Sequence, residues 1–233
     1  MLRVTFPPQD TTGPDEEAFD VTFDDGRVER FTMHDYGRVY AVPGLYEEVV
    51  QRLLGCATPD RIATLLATAA SSAGLAPGEV RVLDLGAGNG VSGEALAAAG
   101  LRPVVAVDLE PAARPATLRD RPDLYDLVLT GDAAALSAGD AEAVRALRPN
   151  ALALVGALGN DHVAPTGVAA AALLLERPAL VAYARPDYEP DEPLRATLAC
   201  IGEVREVARE RYVHRRTASG GERTWEAVAL TLE

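Results

Sequence analysis

The stretch Val82-Leu83-Asp84-Leu85-Gly86-Ala87-Gly88-Asn89-Gly90 decides the fold. An apolar run ends in an acid and a glycine-rich turn, and a helix-forming segment, SGEALAAAG (92–100), follows at once. Glycines at such a turn let a ligand touch the backbone, and a helix N-terminus favours an anionic group. The next apolar run, PVVAVD (103–108), also ends in an acid. Asp108 lies roughly 20 positions past the turn, where a carboxylate can accept both ribose hydroxyls of a nucleoside cofactor. A third run, YDLVLTG (125–131), leads to Asp132, which can accept from an adenine amino group while the Ala133 N–H meets a ring nitrogen.

Working outward, two more apolar runs read as strands, ALALVGAL (151–158) and PALVAYA (178–184). Helical intervals at 92–100, 111–119, 141–147 and 166–176 separate the five. Strands apolar on both faces, alternating with helices, predict an α/β protein with a parallel sheet and right-handed crossovers. After a helix near 191–202, REVARERYVHRR and TWEAVALTLE are joined by ASGGE, which predicts a closing antiparallel hairpin. Residues 1–44 are polar and acidic. Phe19, Val21 and Phe23, the pair Asp25-Gly26, then Val28, Phe31 and Met33 predict a β-hairpin. HDYGRVYAVPG (34–44) reads as a loop crowded with aromatic groups, and helices are expected over 43–55 and 58–74, with Thr58 capping the second. The expected organisation is an N-terminal hairpin and lid segment, 1–44, and a cofactor-binding domain, 45–233.

Composition narrows the function. The chain has 233 residues, 48% hydrophobic and 24% charged, a globular mixture. Every one of its 22 basic residues is arginine, against 35 acidic ones, for a net charge of −13. Without lysine there is no Schiff-base chemistry and no lysine phosphate cradle. The acidic excess repels nucleic acid and anionic membranes. No apolar stretch approaches the roughly 20 residues of a membrane span, and the N-terminus lacks a signal-peptide core. Cys56 and Cys200 stand in no metal-like spacing and read as core or subsurface thiols in a reducing, cytoplasmic setting; no metal is expected.

Two cofactors suit such a sheet. Gly88-Asn89-Gly90-Val91-Ser92-Gly93 satisfies the dinucleotide pattern G-x-G-x-x-G. The turn already begins at Gly86, however, and the Asp84 charge would oppose a pyrophosphate. The same carboxylate suits the ammonium and sulfonium of S-adenosylmethionine, which is the favoured reading over NAD.

VLDLGAGNG, followed by VVAVDLEP, TGDA and the closing hairpin, resembles the class I S-adenosylmethionine-dependent methyltransferase family over roughly residues 45–233. The resemblance implies a Rossmann-like, doubly wound seven-stranded sheet in the order 3-2-1-4-5-7-6 with its last strand antiparallel. It implies that Asp84, Gly86, Ala87, Gly88, Asn89 and Gly90 surround the methionine part of the cofactor. Asp108 would hold the ribose, Leu109 cover the adenine, Asp132 and Ala133 read its edge, and Leu158 and Gly159 line the floor beside the sulfonium. Asn89 stands where many relatives carry Thr or Ser.

The acceptor side is less determined. ALGNDHVAP (157–165) follows the fourth strand, where the family seats its methyl acceptor. There His162 is either a general base or a surface histidine, and Asn160 and Asp161 are acceptor contacts or plain loop. This is not the Asn-Pro-Pro-Tyr type of motif, which argues against DNA-base N-methylation. His34 is the second candidate base. Tyr36 and Tyr40, over the cofactor, and Tyr46, toward the acceptor, form either a water-excluding lid or a staple for the hairpin. Arg185 and Tyr188, after the fifth strand, touch the acceptor or form a loop. The expected function is O- or N-methylation of a small molecule, with S-adenosylhomocysteine as product. The alternatives are a non-catalytic S-adenosylmethionine-binding module and an NAD(P)-dependent oxidoreductase, the latter lacking any Tyr-x-x-x-Lys pair. The sequence does not decide between monomer and homodimer.

Overall fold

The computed structural model describes residues 2–8, 17–158 and 163–233. At the N-terminus, β1 (Arg3–Thr5), β2 (Ala18–Thr22) and β3 (Val28–Thr32) form a small antiparallel sheet in that order. The expected hairpin is β2–β3, closed at Gly26 with φ +83°. Phe19 stacks on Phe31 at 5.6 Å, and this small core continues through Val39, Leu45 and Val49 to Leu54.

The main sheet comprises β4 (Arg81–Leu85), β5 (Arg102–Asp108), β6 (Leu127–Thr130), β7 (Ala151–Leu154), β8 (Ala179–Pro186), β9 (Val204–Arg216) and β10 (Glu222–Leu232). Its order is β6-β5-β4-β7-β8-β10-β9, the expected 3-2-1-4-5-7-6. The first five strands are parallel, and β10 runs antiparallel between β8 and β9. Every residue of β8 is buried. Its period-2 alternation sends Val181 and Tyr183 into one core and Leu180, Ala182 and Ala184 into the other. The first core is closed by α5 (Ala138–Ala146), α6 (Pro165–Ala172) and α7 (Glu192–Ala199), the second by α2 (Thr58–Ser72) and α3 (Val91–Ala98). α4 (Ala113–Asp120) packs instead under the tyrosines of the N-terminal segment.

Three stretches differ from the expectation. Residues 34–44 contain a short helix, α1 (Tyr36–Ala41), which sets Tyr36 and Tyr40 one turn apart and stacks them at 5.7 Å. The helix expected from Pro43 is a π-helix, Glu47–Leu53, in which the Leu54 N–H reaches back to Val49 O at 3.0 Å. The fourth strand stops at Leu154 rather than at residue 158, because the chain turns at Gly156, φ +79°. Cys56 is half-buried, while Cys200 lies at the surface, not beneath it. Among the described residues, no helix is long and apolar enough to cross a membrane.

The N-terminal segment is tied to the carboxyl edge of the sheet by specific bonds. Glu17 is buried and accepts from Arg215 at 2.5 Å and from the Ala218 N–H at 2.8 Å. Arg216 N–H bonds Leu54 O at 2.8 Å, and Ala57 N–H bonds His214 O at 2.8 Å. Glu47, on the π-helix, accepts from Asn89 Nδ2 at 2.9 Å and Arg121 at 2.8 Å, which gives the unusual asparagine of the glycine turn a structural task.

Candidate active site

The glycine turn is built for close approach. Gly86 and Gly88 adopt φ +77° and +56°, a region side chains avoid. A Cβ on Gly86 would lie 2.6 Å from Ala157 Cβ, and one on Gly88 2.5 Å from the Tyr40 hydroxyl. Gly90 differs: it caps α3 at φ +89°, and a Cβ there would press on Arg121 at 3.0 Å and Thr117 at 3.3 Å, so its smallness serves packing rather than a ligand. Asp108, at the end of β5, accepts from Gly88 N–H at 2.6 Å and Glu110 N–H at 2.8 Å.

Asp84 is fully buried at the end of β4. Ser92 Oγ donates to its Oδ2 at 2.5 Å and the Tyr125 hydroxyl at 2.7 Å, while Oδ1 has no partner. Burial raises its pKa to about 6, against the hydrogen bonds from Ser92 and Tyr125 and with a further push from the Asp108 charge. Gly93 makes the Tyr125 contact possible, since a Cβ there would overlap the phenol. The last glycine of the apparent G-x-G-x-x-G thus seats a tyrosine behind the turn.

A cleft opens along the carboxyl edge of the sheet, in two limbs that meet at Gly86, Val155 and Gly156 beneath His34, Tyr36, Tyr40 and Tyr46. The wide limb, about 660 Å³, runs past Asp108, Leu109, Asp132 and Ala133 to Thr166 and Gly167. Leu109 is 64% exposed, a free apolar lip. Asp132 caps the turn after β6 through the Ala134 N–H at 2.8 Å. The narrow limb, about 130 Å³, runs from the turn residues Ala87, Gly88 and Asn89 to the β9–β10 hairpin. Tyr40 and Tyr46 have pKa values well above the ordinary phenol, chiefly from burial, so both rings are neutral donors.

The structure therefore brings Gly86, Ala87, Gly88, Asn89, Asp108, Leu109, Asp132, Ala133, His34, Tyr36, Tyr40, Tyr46 and Tyr188 to one cleft. Asp84 and Gly90 stand behind its wall. Leu158 packs into the core, because the chain leaves the strand early, and Val155, Gly156 and Ala157 form the floor expected of it. Arg185 is not among the residues lining the cleft: it is buried in the sheet, paired with Glu226 at 2.6 Å and donating to Pro186 O at 2.9 Å. Gly159, Asn160, Asp161 and His162 lie outside the described residues.

Sequence reasoning missed the hairpin's share of the site. Arg215 pairs with Arg223 and Val213 with Thr224, so His214 is the extra residue of a β-bulge. Bulges re-aim side chains, and this one turns both His214 and Arg215 inward. His214 stacks on Trp225 at 3.9 Å and 14° and shares Nδ1 with Thr58 Oγ1 at 2.6 Å; Thr58 in turn meets the Tyr212 hydroxyl at 2.7 Å. Burial, reinforced by the Arg215 and Arg223 charges, lowers the His214 pKa to about 3, so the ring is neutral at any ordinary pH. His214, Trp225, Arg215 and Arg223 all line the narrow limb.

No protein-family model and no curated protein matches the chain. Solved structures do. A Pyrococcus horikoshii protein proposed to be an RNA methyltransferase superposes with TM-score 0.52 at 18% identity, over 76% of this chain and 87% of that one. A TehB-like SAM-dependent methyltransferase from Corynebacterium glutamicum gives TM-score 0.50 at 14% identity, over 76% and 88%. A protein of Thermoplasma acidophilum gives 0.51 at 16%, over 73% and 85%. The fold is thus shared with solved methyltransferases, as the sequence resemblance implies.

Proposed function

We propose that this chain is an S-adenosylmethionine-dependent methyltransferase acting on a small molecule. The observation that carries the reading is the wide limb itself, a cleft at the switch point of the sheet that holds Asp108, Leu109, Asp132 and Ala133 in one row beside a glycine floor. The residues fit this cofactor: acids at two strand ends for ribose and adenine, bare backbone at Gly86 and Gly88, and the unpartnered Asp84 Oδ1 behind the turn to favour a cationic group. When bound, S-adenosylmethionine supplies an electrophilic methyl, taken by an acceptor lone pair as the carbon–sulfur bonding pair passes to sulfur.

The chain's own residues have positioning and desolvation to supply, because the leaving group needs no protonation. Asp108 would accept from the ribose hydroxyls and Asp132 from the adenine amino group, while the Ala133 N–H would donate to a ring nitrogen and Leu109 would lie over the ring. Tyr36, Tyr40 and Tyr46 roof the junction of the limbs and keep water from it. Neutral His214 accepts or donates one hydrogen bond in the narrow limb but is too weak a base to hold a proton. An acceptor seated there arrives with its lone pair available or passes its proton elsewhere.

The Pyrococcus neighbour is proposed to act on RNA. A small molecule is favoured here because the chain carries −13 and the narrow limb is ring-sized under a tyrosine roof. Calorimetric titration with S-adenosylmethionine, S-adenosylhomocysteine and NAD tests the reading. Binding of the first two and not the third is expected; NAD binding alone overturns it, and methylation of RNA but of nothing in a metabolite extract overturns the small-molecule part.

A further inference from the structure

Two guanidinium groups share a single carboxylate in the narrow limb. Arg215 holds Glu17 at 2.5 Å, while Arg223 reaches the same Glu17 Oε2 only at 3.4 Å and its Nε proton has no acceptor among the described residues. An arginine has five donors and one fixed positive charge. Among the described residues the limb therefore keeps a surplus cation, two guanidinium groups facing one carboxylate. Beside it lies a flat apolar surface, the His214–Trp225 stack, with Tyr46 also lining the limb. The depressed His214 pKa comes chiefly from burial, with smaller contributions from the Arg215 and Arg223 charges. The limb is small, about 130 Å³ in all, and its hairpin end is walled by His214, Trp225, Arg215 and Arg223, which leaves room for no more than a compact ligand.

We infer that the acceptor is a single-ring aromatic carboxylate, its ring against Trp225 and its carboxylate on Arg223. This rests on the methyltransferase reading and names the substrate class of the same site. Planar, bidentate capture of a carboxylate is what the guanidinium fork does best, and a buried charge-assisted pair of this kind discriminates strongly against a neutral isostere. Glu17 acts as the positioning group: it fixes Arg215 and leaves Arg223 to the ligand.

The test uses the whole chain saturated with S-adenosylhomocysteine, titrated calorimetrically with benzoate, benzamide and phenyl phosphate. Benzoate is expected to bind at least tenfold tighter than benzamide, with phenyl phosphate weaker than benzoate. Arg223→Gln is expected to erase the benzoate preference while S-adenosylhomocysteine affinity stays within twofold. Arg223→Lys, which keeps the charge but loses the fork, is expected to retain only part of the preference. Equal binding of benzoate and benzamide, no binding of either, or a preference untouched by Arg223→Gln overturns the inference while leaving the cofactor reading intact. Tighter binding of phenyl phosphate replaces the carboxylate with a phosphoryl group and equally overturns it. Failure of S-adenosylhomocysteine itself to bind strikes the proposed function instead, and is read before any acceptor is added. The wild-type comparison needs no variant, so a poorly folding substitution cannot blunt it.

Discussion

Replacing Asp84 by asparagine is expected to stabilise the ligand-free chain progressively as pH rises. The folded-state pKa of Asp84 is raised from 3.8 to about 6. A raised acid binds its proton more tightly in the folded state, so its contribution is fully present below the unfolded value and is lost as pH climbs through the folded one. The full loss above pH 6 is about 3 kcal/mol, from roughly 1.36 kcal/mol per pKa unit. About 1 kcal/mol of that has already gone by pH 4.5, so about 2 kcal/mol falls between pH 4.5 and 8. For a chain of this length that corresponds to about 4–8 °C in Tm.

The measurement is a pair of thermal melts, wild type and Asp84→Asn, at a series of pH values. All other titrating groups are common to the two proteins and drop out of the difference. The Tm of the variant minus that of wild type is expected to grow by several degrees from pH 4.5 to 8, with its steepest change near pH 5, midway between the unfolded and folded pKa values, and a plateau above pH 7. A difference that stays flat across that range refutes the reasoning, for it would mean that Asp84 titrates normally and that its unpartnered oxygen is hydrated. Saturating S-adenosylmethionine is expected to shrink the difference at pH 8, because a nearby cation makes the ionised carboxylate favourable.

Gly93→Ala is expected to destabilise by about 1–3 kcal/mol, since the new methyl overlaps the Tyr125 phenol, and Tyr125→Phe in the same chain should recover part of the loss in urea unfolding. Glu17→Gln is expected to cost about 3–5 kcal/mol at pH 7 by leaving Arg215 buried without its anion. Burial raises the Glu17 pKa, but Arg215, the Ala218 N–H and Arg223 outweigh it and hold the group below 4.5. Its stabilisation is therefore present above that value and fades as pH falls, so the gap between variant and wild type should close in acid. The His214 ring proton resonances are expected not to move between pH 5 and 8, as seen by NMR, whereas an ordinary histidine titrates in that window.

The wide limb of the cleft and the glycine turn were legible because each of their parts is local. Asp84, Asp108 and Asp132 each sit at or just past the end of a short apolar run, and topology alone carries them to one edge of a parallel sheet. The helix Tyr36–Ala41 escaped notice because six residues are too few to display a period, and Pro43 and Gly44 right after them suggested a loop. The early end of β7 hangs on one glycine inside an unbroken apolar run, where a strand and a turn look alike. Arg185 misled for a related reason: an arginine after a buried strand looks like a cleft residue, but β8 runs on to Pro186 and Glu226 lies opposite Arg185 on β10.

The narrow limb could not have been read the same way. His214 and Arg215 are neighbours in sequence, and in a regular strand they would face opposite sides of the sheet. Only the bulge between the Arg223 and Thr224 pairings puts both on one side, and the bulge is a property of two strands, not of either sequence alone. Glu17 stands 198 positions from the arginine that it binds. Long-range pairing thus decides which charges line the narrow limb, whereas local sequence decides which residues line the wide one. That division has a consequence for variants: changes within the β9–β10 hairpin should alter which acceptor is taken before they alter cofactor affinity. Removing the bulge by deleting His214 is the sharpest case. Regular alternation then keeps Arg215 on the inner face opposite Arg223 but strips Trp225 and Thr58 of the imidazole that they hold, and the deletion is expected to weaken benzoate binding while S-adenosylhomocysteine still binds; loss of both together would show that the hairpin supports the whole cleft rather than its narrow limb.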